Sequence, residues 1–482
     1  MNRLLTRPLV AVVLLGLLLQ SCRVTTPYQA PGSPSTNLYR GVKTTDSTNL
    51  ASLSWRQMFT DTILQRLIEQ GINNNLDLKI AVARMQSAEA DLQQSKLAFF
   101  PTLSANGGFT VSKSSSVQLR SLNIKSSDAG NGATTASPTT IPTIKQFTLT
   151  GSSSWEADVW GKLRSTKRAN LAAYLASDAY RRTVQTQLVA NIATNYYALM
   201  AYDKQLEITK ATIDIRKTDV DITKALKEGD VVTGADVVQS EANRYAAEVT
   251  LPDIKQNIRQ TENALSILLA MPPDSIPRAR LDDQPTVASL QTGLPAQLLG
   301  NRPDVQEAEL AFRNAFELTN VARTYFYPSL TITGNGGWAT ANTLRGFFDG
   351  TFYGSLVSGL TQPIFNQGVN RQRLRKAEAT QSQAFFTYQS TLLNAGQEVS
   401  NALFSYNMGV EKANARQYQL AALEKAVSYT KELLKFTANT NYTDVLTAEQ
   451  NLLNAQLNGV NDRLQQLQAV VSLYEALGGG WR

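Results

Sequence analysis

Two pairs of short segments alternate apolar and polar positions. Leu103, Ala105, Gly107, Phe109 and Val111 are apolar or small, and Ser104, Asn106, Thr110 and Ser112 lie between them. Phe147, Leu149 and Trp155 alternate with Gln146, Thr148 and Ser154. Further on, Leu330, Ile332 and Trp338 alternate with Thr331, Thr333 and Asn335, and the stretch 351–362 puts Phe352, Leu356 and Leu360 on one face. A period of two predicts strands with each face in a different environment. The first pair is joined by 117–143, rich in Ser, Thr, Gly and Asn and without apolar periodicity, which predicts a solvated loop. The second connection, around 339–350, is shorter.

Helical patterns fill most of the rest. Helices are expected over 61–98 and 303–325, ended by Pro101 and Pro328, because proline cannot continue a helix and disfavours the α region before it. Lys162 to Glu228 contains neither proline nor glycine, a run of 67 residues and about 100 Å of helix. Arg371 to Thr437 is a second proline-free run of 67 residues. Each leads to a shorter helix, 235–270 and 443–476, with a kink expected at Pro252. Leu453, Leu457, Val460, Leu464, Leu467, Val471 and Tyr474 follow the alternating four-three spacing of a coiled-coil seam.

The chain repeats itself. Phe99-Phe100-Pro101-Thr102-Leu103 is matched 227 positions later by Phe326-Tyr327-Pro328-Ser329-Leu330. Ala235-Asp236-Val237-Val238-Gln239-Ser240-Glu241 is matched 208 positions later by Thr443-Asp444-Val445-Leu446-Thr447-Ala448-Glu449. The organisation read from this is 1–21 signal peptide, 22–60 anchor and linker, 61–270 first repeat, 271–302 linker, 303–478 second repeat, and 479–482 tail. Each repeat runs helix, hairpin, long helix, short helix.

Composition narrows the chemistry. The 482 residues include no histidine and one cysteine, Cys22. That excludes Ser-His-Asp and Cys-His catalysis, zinc sites of the usual Cys/His kind, and an intrachain disulfide. Lys and Arg number 46 against 39 Asp and Glu, a net charge of +7. No basic stripe with interleaved aromatics accompanies it, so no nucleic-acid partner is expected. No metal site and no catalytic residue is expected.

The N-terminus reads as an address. Arg3 and Arg7 precede an apolar run from Leu9 to Leu19, too short to span a bilayer as a helix. Leu19-Gln20-Ser21-Cys22 resembles a bacterial lipobox, in which the cysteine thiol takes a diacylglycerol and becomes the first residue. Arg23 follows, and in the lipoproteins this resembles, a non-acidic residue there favours transfer to the outer membrane.

Four strands per chain are too few to enclose water, and an open sheet in lipid leaves unpaired edges. Three chains would supply twelve strands. The long helices carry too many Gln, Asn, Lys and Glu to lie in lipid, so they project into the periplasm. At this point the resemblance is plain. The element order, Gly293-Leu294-Pro295, Leu298-Leu299-Gly300-Asn301-Arg302-Pro303-Asp304-Val305, Trp155-Glu156-Ala157-Asp158-Val159-Trp160-Gly161-Lys162-Leu163 and Gln362-Pro363-Ile364-Phe365 resemble the outer-membrane efflux channel family, the TolC-like channel-tunnels, and within it the lipoprotein branch. The resemblance implies a mixed α and β membrane protein. It has a long coiled-coil α-helical periplasmic barrel and a trimer-shared 12-stranded transmembrane β-barrel. It further implies a passive export channel rather than an enzyme, with no cofactor beyond a covalent lipid on Cys22. Implied partners are two further copies, a periplasmic adaptor (membrane fusion) protein, an inner-membrane resistance-nodulation-division pump and outer-membrane lipids. A non-conducting trimeric coiled-coil lipoprotein is the competing reading, and such proteins lack an alternating hairpin in each of two repeats.

In the family the second-half turn faces the tunnel mouth, where an Asp-Val-Leu segment contributes to the gate, here Asp444-Val445-Leu446. Three copies of Asp444 would form an acidic ring that attracts cations. Asn441 and Tyr442 are candidates for constriction and adaptor contact. Asp236 is the matching residue of the first repeat, and capping alone would explain it. Arg302-Pro303-Asp304 reads as a structural helix start, and Trp155 and Trp160 read as anchors at the barrel edge.

Overall fold

The computed structural model describes residues 24–32, 53–113, 143–285, 302–436 and 442–482. Cys22, Asn441, most of the 117–143 loop and the Gly293-Leu294-Pro295 motif lie outside them. The elements are α1 (Trp55–Met58), α2 (Thr62–Asn74), α3 (Leu76–Leu97), β1 (Thr102–Lys113), β2 (Thr143–Ala157), α4 (Lys162–Glu228), α5 (Gly234–Leu268), α6 (Pro303–Thr324), β3 (Ser329–Ala341), β4 (Phe352–Thr361), α7 (Val369–Phe436) and α8 (Tyr442–Ala476). Two compact units divide them and cut across the sequence repeats. The first takes 1–29, 90–171 and 313–381, and the second takes 30–89, 172–312 and 382–482. Each long helix contributes to both units.

In the first unit the four strands form one antiparallel sheet in the order β1-β2-β3-β4. The register decides which side chains share a face. Phe109 opposes Phe147, Leu149 opposes both Gly107 and Trp338, Trp155 opposes Ile332, and Leu330 opposes Leu360. All of these therefore stand on one face, together with Leu103, Phe352 and Leu356. The opposite face carries Thr102, Ser104, Asn106, Thr148, Thr150, Thr331, Thr333, Asn335 and Ser355. One face is apolar and the other polar, as a wall between lipid and water requires. β1 and β4 are the edges of the sheet, and each unpaired edge group costs several kcal/mol in lipid. The edges therefore need strands from further copies of the chain. No helix among the described residues is long and apolar enough to cross a membrane.

The helices begin where their caps dictate. Asp158 accepts from the Leu163 and Arg164 amides at 2.9 and 3.1 Å, and Gly161, at φ 81°, turns the chain into α4. Trp155 and Trp160 donate their indole N–H groups to the Phe99 and Pro328 carbonyls at 2.9 and 2.7 Å. Both rings thus tie the strand ends to the neighbouring helix ends. Residues 24–28 lie against α6: Asn320 accepts from the Thr26 amide at 3.1 Å and donates to its carbonyl at 2.9 Å, and Tyr28 meets Phe316 edge-on.

In the second unit the seam expected along 453–474 is the packing face of α8. Val460, Leu467, Val471 and Tyr474 enter a core with Trp55, Phe59, Leu64, Ile68, Ile192, Tyr196 and Leu265. Arg302 is buried, forks onto Asp304 at 3.0 and 2.6 Å, and reaches the Ala476 carbonyl at 2.7 Å and Glu398 at 2.8 Å. The Arg-Pro-Asp start of α6 thus also clamps the end of α8. One helix expected over 61–98 is corrected to two. Asn75 adopts φ −52° and ψ 134°, accepts from the Leu78 amide at 2.9 Å and donates to the Leu268 carbonyl at 3.0 Å. Its side chain caps α3 and so ends α2. α5 runs unbroken through Pro252.

Candidate functional site

The ends of α4, α5, α7 and α8 in the second unit hold a buried polar cluster. Gly229 and Asp230, the latter at φ 54°, end α4, with the Val231 amide donating back to the Leu226 carbonyl at 2.9 Å. Thr233 then caps α5, its amide and hydroxyl both donating to Asp236 at 2.9 and 2.7 Å. The Asp236 carboxylate is thereby engaged in a capping box. Asp444 stands exposed in the first turn of α8. Tyr442, two residues earlier, is buried, and its hydroxyl donates to the Asp219 carbonyl of α4 at 3.2 Å. Within the protomer Tyr442 is thus a tie between helices.

Four charged residues that sequence reasoning did not single out surround that tie. Glu449 of α8 is ion-paired with Lys431 of α7. Arg216 of α4 donates to Gln450 at 2.7 Å and to the Asn243 carbonyl of α5. Asp219 and Glu449 are only 7% and 9% exposed, and Asp219 keeps one carboxyl oxygen unpartnered. Burial first, and then the neighbouring Glu449, push the Asp219 carboxyl up to about 7. Burial lowers the Arg216 guanidinium and raises the Tyr442 hydroxyl. The cluster can therefore gain or lose a proton near neutrality.

The repeat contained a signal for half of this. Glu241 and Glu449 occupy matching positions, and each pairs with a lysine near the end of the preceding long helix: Lys224 at 2.8 Å in the first repeat, Lys431 in the second. Only in the second is the glutamate buried, beside the further carboxylate of Asp219.

The family model for "Outer membrane efflux protein" matches residues 67–270 and 294–479. The chain is 30% identical to the antibiotic efflux pump outer membrane protein ArpC of Pseudomonas putida, over 99% of this chain and 96% of that protein. It is 28% identical to the cation efflux system protein CusC of Escherichia coli, over 97% of each. Its fold matches the open-state MtrE outer membrane channel of Neisseria gonorrhoeae with a TM-score of 0.81 and 25% identity, over 96% of this chain and 99% of that one. The two-faced, open-edged sheet, the paired long helices and these matches agree: the chain belongs to the outer membrane efflux protein family.

Proposed function

We infer that the protein is the outer-membrane channel of a tripartite efflux system, a passive duct built by three chains. The observation that carries this is the sheet, with one apolar face, one polar face and two unpaired edges, joined to helices of 67 and 68 residues. Three sheets close a twelve-stranded barrel whose polar face meets water. The helices extend that lumen into the periplasm. A duct lined by polar groups has little need of a selective pocket, which suits a family with relatives named for antibiotic and for cation efflux. The chain acts without catalysis. Reconstituted trimers should give stepwise conductance in planar bilayers. A stable trimer that never conducts would overturn the reading in favour of a structural lipoprotein.

The same proposal assigns the partners: a periplasmic adaptor docking at the helix ends, and an inner-membrane resistance-nodulation-division pump behind it. Exposed Val231, in the turn before α5, and Val238, near the start of α5, support an apolar contact there. Asp444, with Asn441 and Tyr442 beside it, belongs to the gate, and three copies would attract divalent cations. Wild-type conductance should fall in millimolar divalent cation, and Asp444→Ala should lose most of that block. Asp236→Ala should change it little, because its carboxylate serves the Thr233 cap. Equal block in wild type and Asp444→Ala would sink the assignment.

Lipid anchoring at Cys22 completes the proposal. It is supported by the seating of Thr26 on Asn320, which holds the chain just after Cys22 in the unit that carries the sheet. Acyl chains bound there would add about 0.8 kcal/mol of membrane affinity per buried CH₂. Cys22→Ser should abolish acylation and leave an uncleaved precursor, as intact-mass spectrometry would detect. A native mature protein without lipid would refute it.

A further inference from the structure

The helix ends beside the sheet carry an excess of basic side chains. In α4, Lys162, Arg164 and Arg168 are already paired with Glu156, Asp158 and Glu317 at 3.0, 2.9 and 2.7 Å. In α7, Arg373 lies over the Tyr325 ring at 3.8 Å. Arg371, Arg375 and Lys376 have no carboxylate partner among the described residues, and all three are exposed. Arg371 and Arg375 are one helical turn apart and so share a face.

Apolar surface lies directly beside these charges. Ile364 and Phe365, just ahead of α7, are 98% and 85% exposed. Between α6 and α7 lies a groove of about 330 Å³, lined by Leu318, Val321, Ala322 and Ala377 together with Arg373 and Lys376. Trp160 and Tyr327 stack at 5.0 Å at the same end of the sheet. Aromatic rings, exposed aliphatic side chains and unpaired cations in succession match the profile of a bilayer interface. This end of the membrane strands is the one that continues into the periplasmic helices, so the headgroups it meets are those of the inner leaflet.

We propose that the start of α7 is a binding surface for anionic phospholipid of the inner leaflet. Arg371, Arg375 and Lys376 receive the phosphate-bearing headgroups, and Ile364, Phe365 and the α6–α7 groove receive acyl chain. Charge complementarity selects this occupant: a zwitterionic lipid offers no net charge to three unpaired cations, and a soluble anion leaves the apolar surface wet. The inference rests on the membrane placement of the sheet, which conductance tests separately.

The experiment is native mass spectrometry of delipidated trimers given equimolar phosphatidylglycerol and phosphatidylethanolamine with the same acyl chains. Wild type should retain phosphatidylglycerol preferentially. The triple variant R371Q/R375Q/K376Q should lose that preference roughly tenfold or more, at about one kcal/mol per basic residue near an anionic surface. A control with equal charge removed from exposed positions of the second unit, K79Q/K210Q/K425Q, should keep it, and excess inorganic phosphate should not displace the lipid. If the triple variant fails to assemble, Arg375→Gln alone should lower the preference severalfold. No preference in wild type, or equal loss in the triple variant and the control, would overturn the proposal. So would altered ion selectivity in the triple variant with lipid retention unchanged, which would place these charges in the lumen. In every case, conducting wild-type trimers keep the channel reading intact.

Discussion

Gly337→Ala is expected to abolish assembly of the barrel. A Cβ at this position of β3 would stand 2.2 Å from the Leu149 carbonyl oxygen and 2.8 Å from the Thr150 Cα. Both are backbone atoms of the paired strand and cannot rotate away. The polar face also closes over this glycine, where Thr150 of β2 and Tyr353 of β4 meet hydroxyl to hydroxyl at 2.6 Å across β3. One added methyl must push β3 off β2, with a loss on the order of 4 kcal/mol or more. Gly107→Ala on β1 is the control, because nothing lies within 4 Å of its Cβ position. Heat-modifiable trimer recovered from outer-membrane fractions should fall more than tenfold for Gly337→Ala and stay near wild type for Gly107→Ala. Equal recovery of the two variants would contradict the close approach of β2 and β3.

The second large effect is expected at the buried carboxylates. The Asp219 carboxyl is raised from 3.8 to about 7, so between those values the folded protein binds more protons than the unfolded chain. Stability at this site therefore falls as pH rises through that window and is fully present in acid. Above it, ionised Asp219 faces Glu449, with Arg216 and Lys431 as the cations nearby. Protection of the α4–α8 contact against hydrogen exchange, corrected for the intrinsic rate, should drop by up to roughly tenfold per pH unit between 5 and 7. Asp219→Asn keeps the shape and removes the charge. It should approach wild type at pH 4, the acid end of the window, and exceed its protection at pH 8 by tenfold or more. The readout must be local, because burial also raises Glu307 and Glu475 to about 7 at the other end of this unit. A wild-type profile independent of pH, or an Asn variant that falls in parallel, would rule out Asp219 as the titrating group.

Much of the architecture was legible because its physics is periodic. A sheet between lipid and water imposes a period of two, and Leu103 to Val111 and Phe147 to Trp155 carry it openly. α4 spans Lys162–Glu228 as expected, since nothing in that run lacks an amide hydrogen and Gly161 marks its start. The break at Asn75 was not legible, because Leu76 and Leu78 continue a helical pattern and an asparagine cap resembles any polar surface residue. Asp219 was hidden for a different reason. On the sequence it is one more charge on the polar face of a long helix, and only folding brings it beside Glu449, 230 positions away. The bond from the Tyr442 hydroxyl to the Asp219 carbonyl was equally hidden, because it joins positions 223 apart. Arg302 was read as a helix start, and its grip on the end of α8 depends on a contact 174 positions distant.

The strand order has a consequence for how the molecule is made. β1–β2 and β3–β4 are neighbours along the chain, but the β2–β3 ladder joins Ala157 to Leu330. Everything from α4 through α6 lies inside that closure. Loop-closure entropy grows only slowly with length, yet the search for so distant a partner is slow. The hairpins can form on their own, whereas the central ladder waits until the intervening helices have drawn its two halves together. Until then the two half-sheets together expose four bare edges where the finished sheet has two. The biogenesis of this protein thus runs from the water-facing helices toward the membrane, and the barrel is the last thing to be completed.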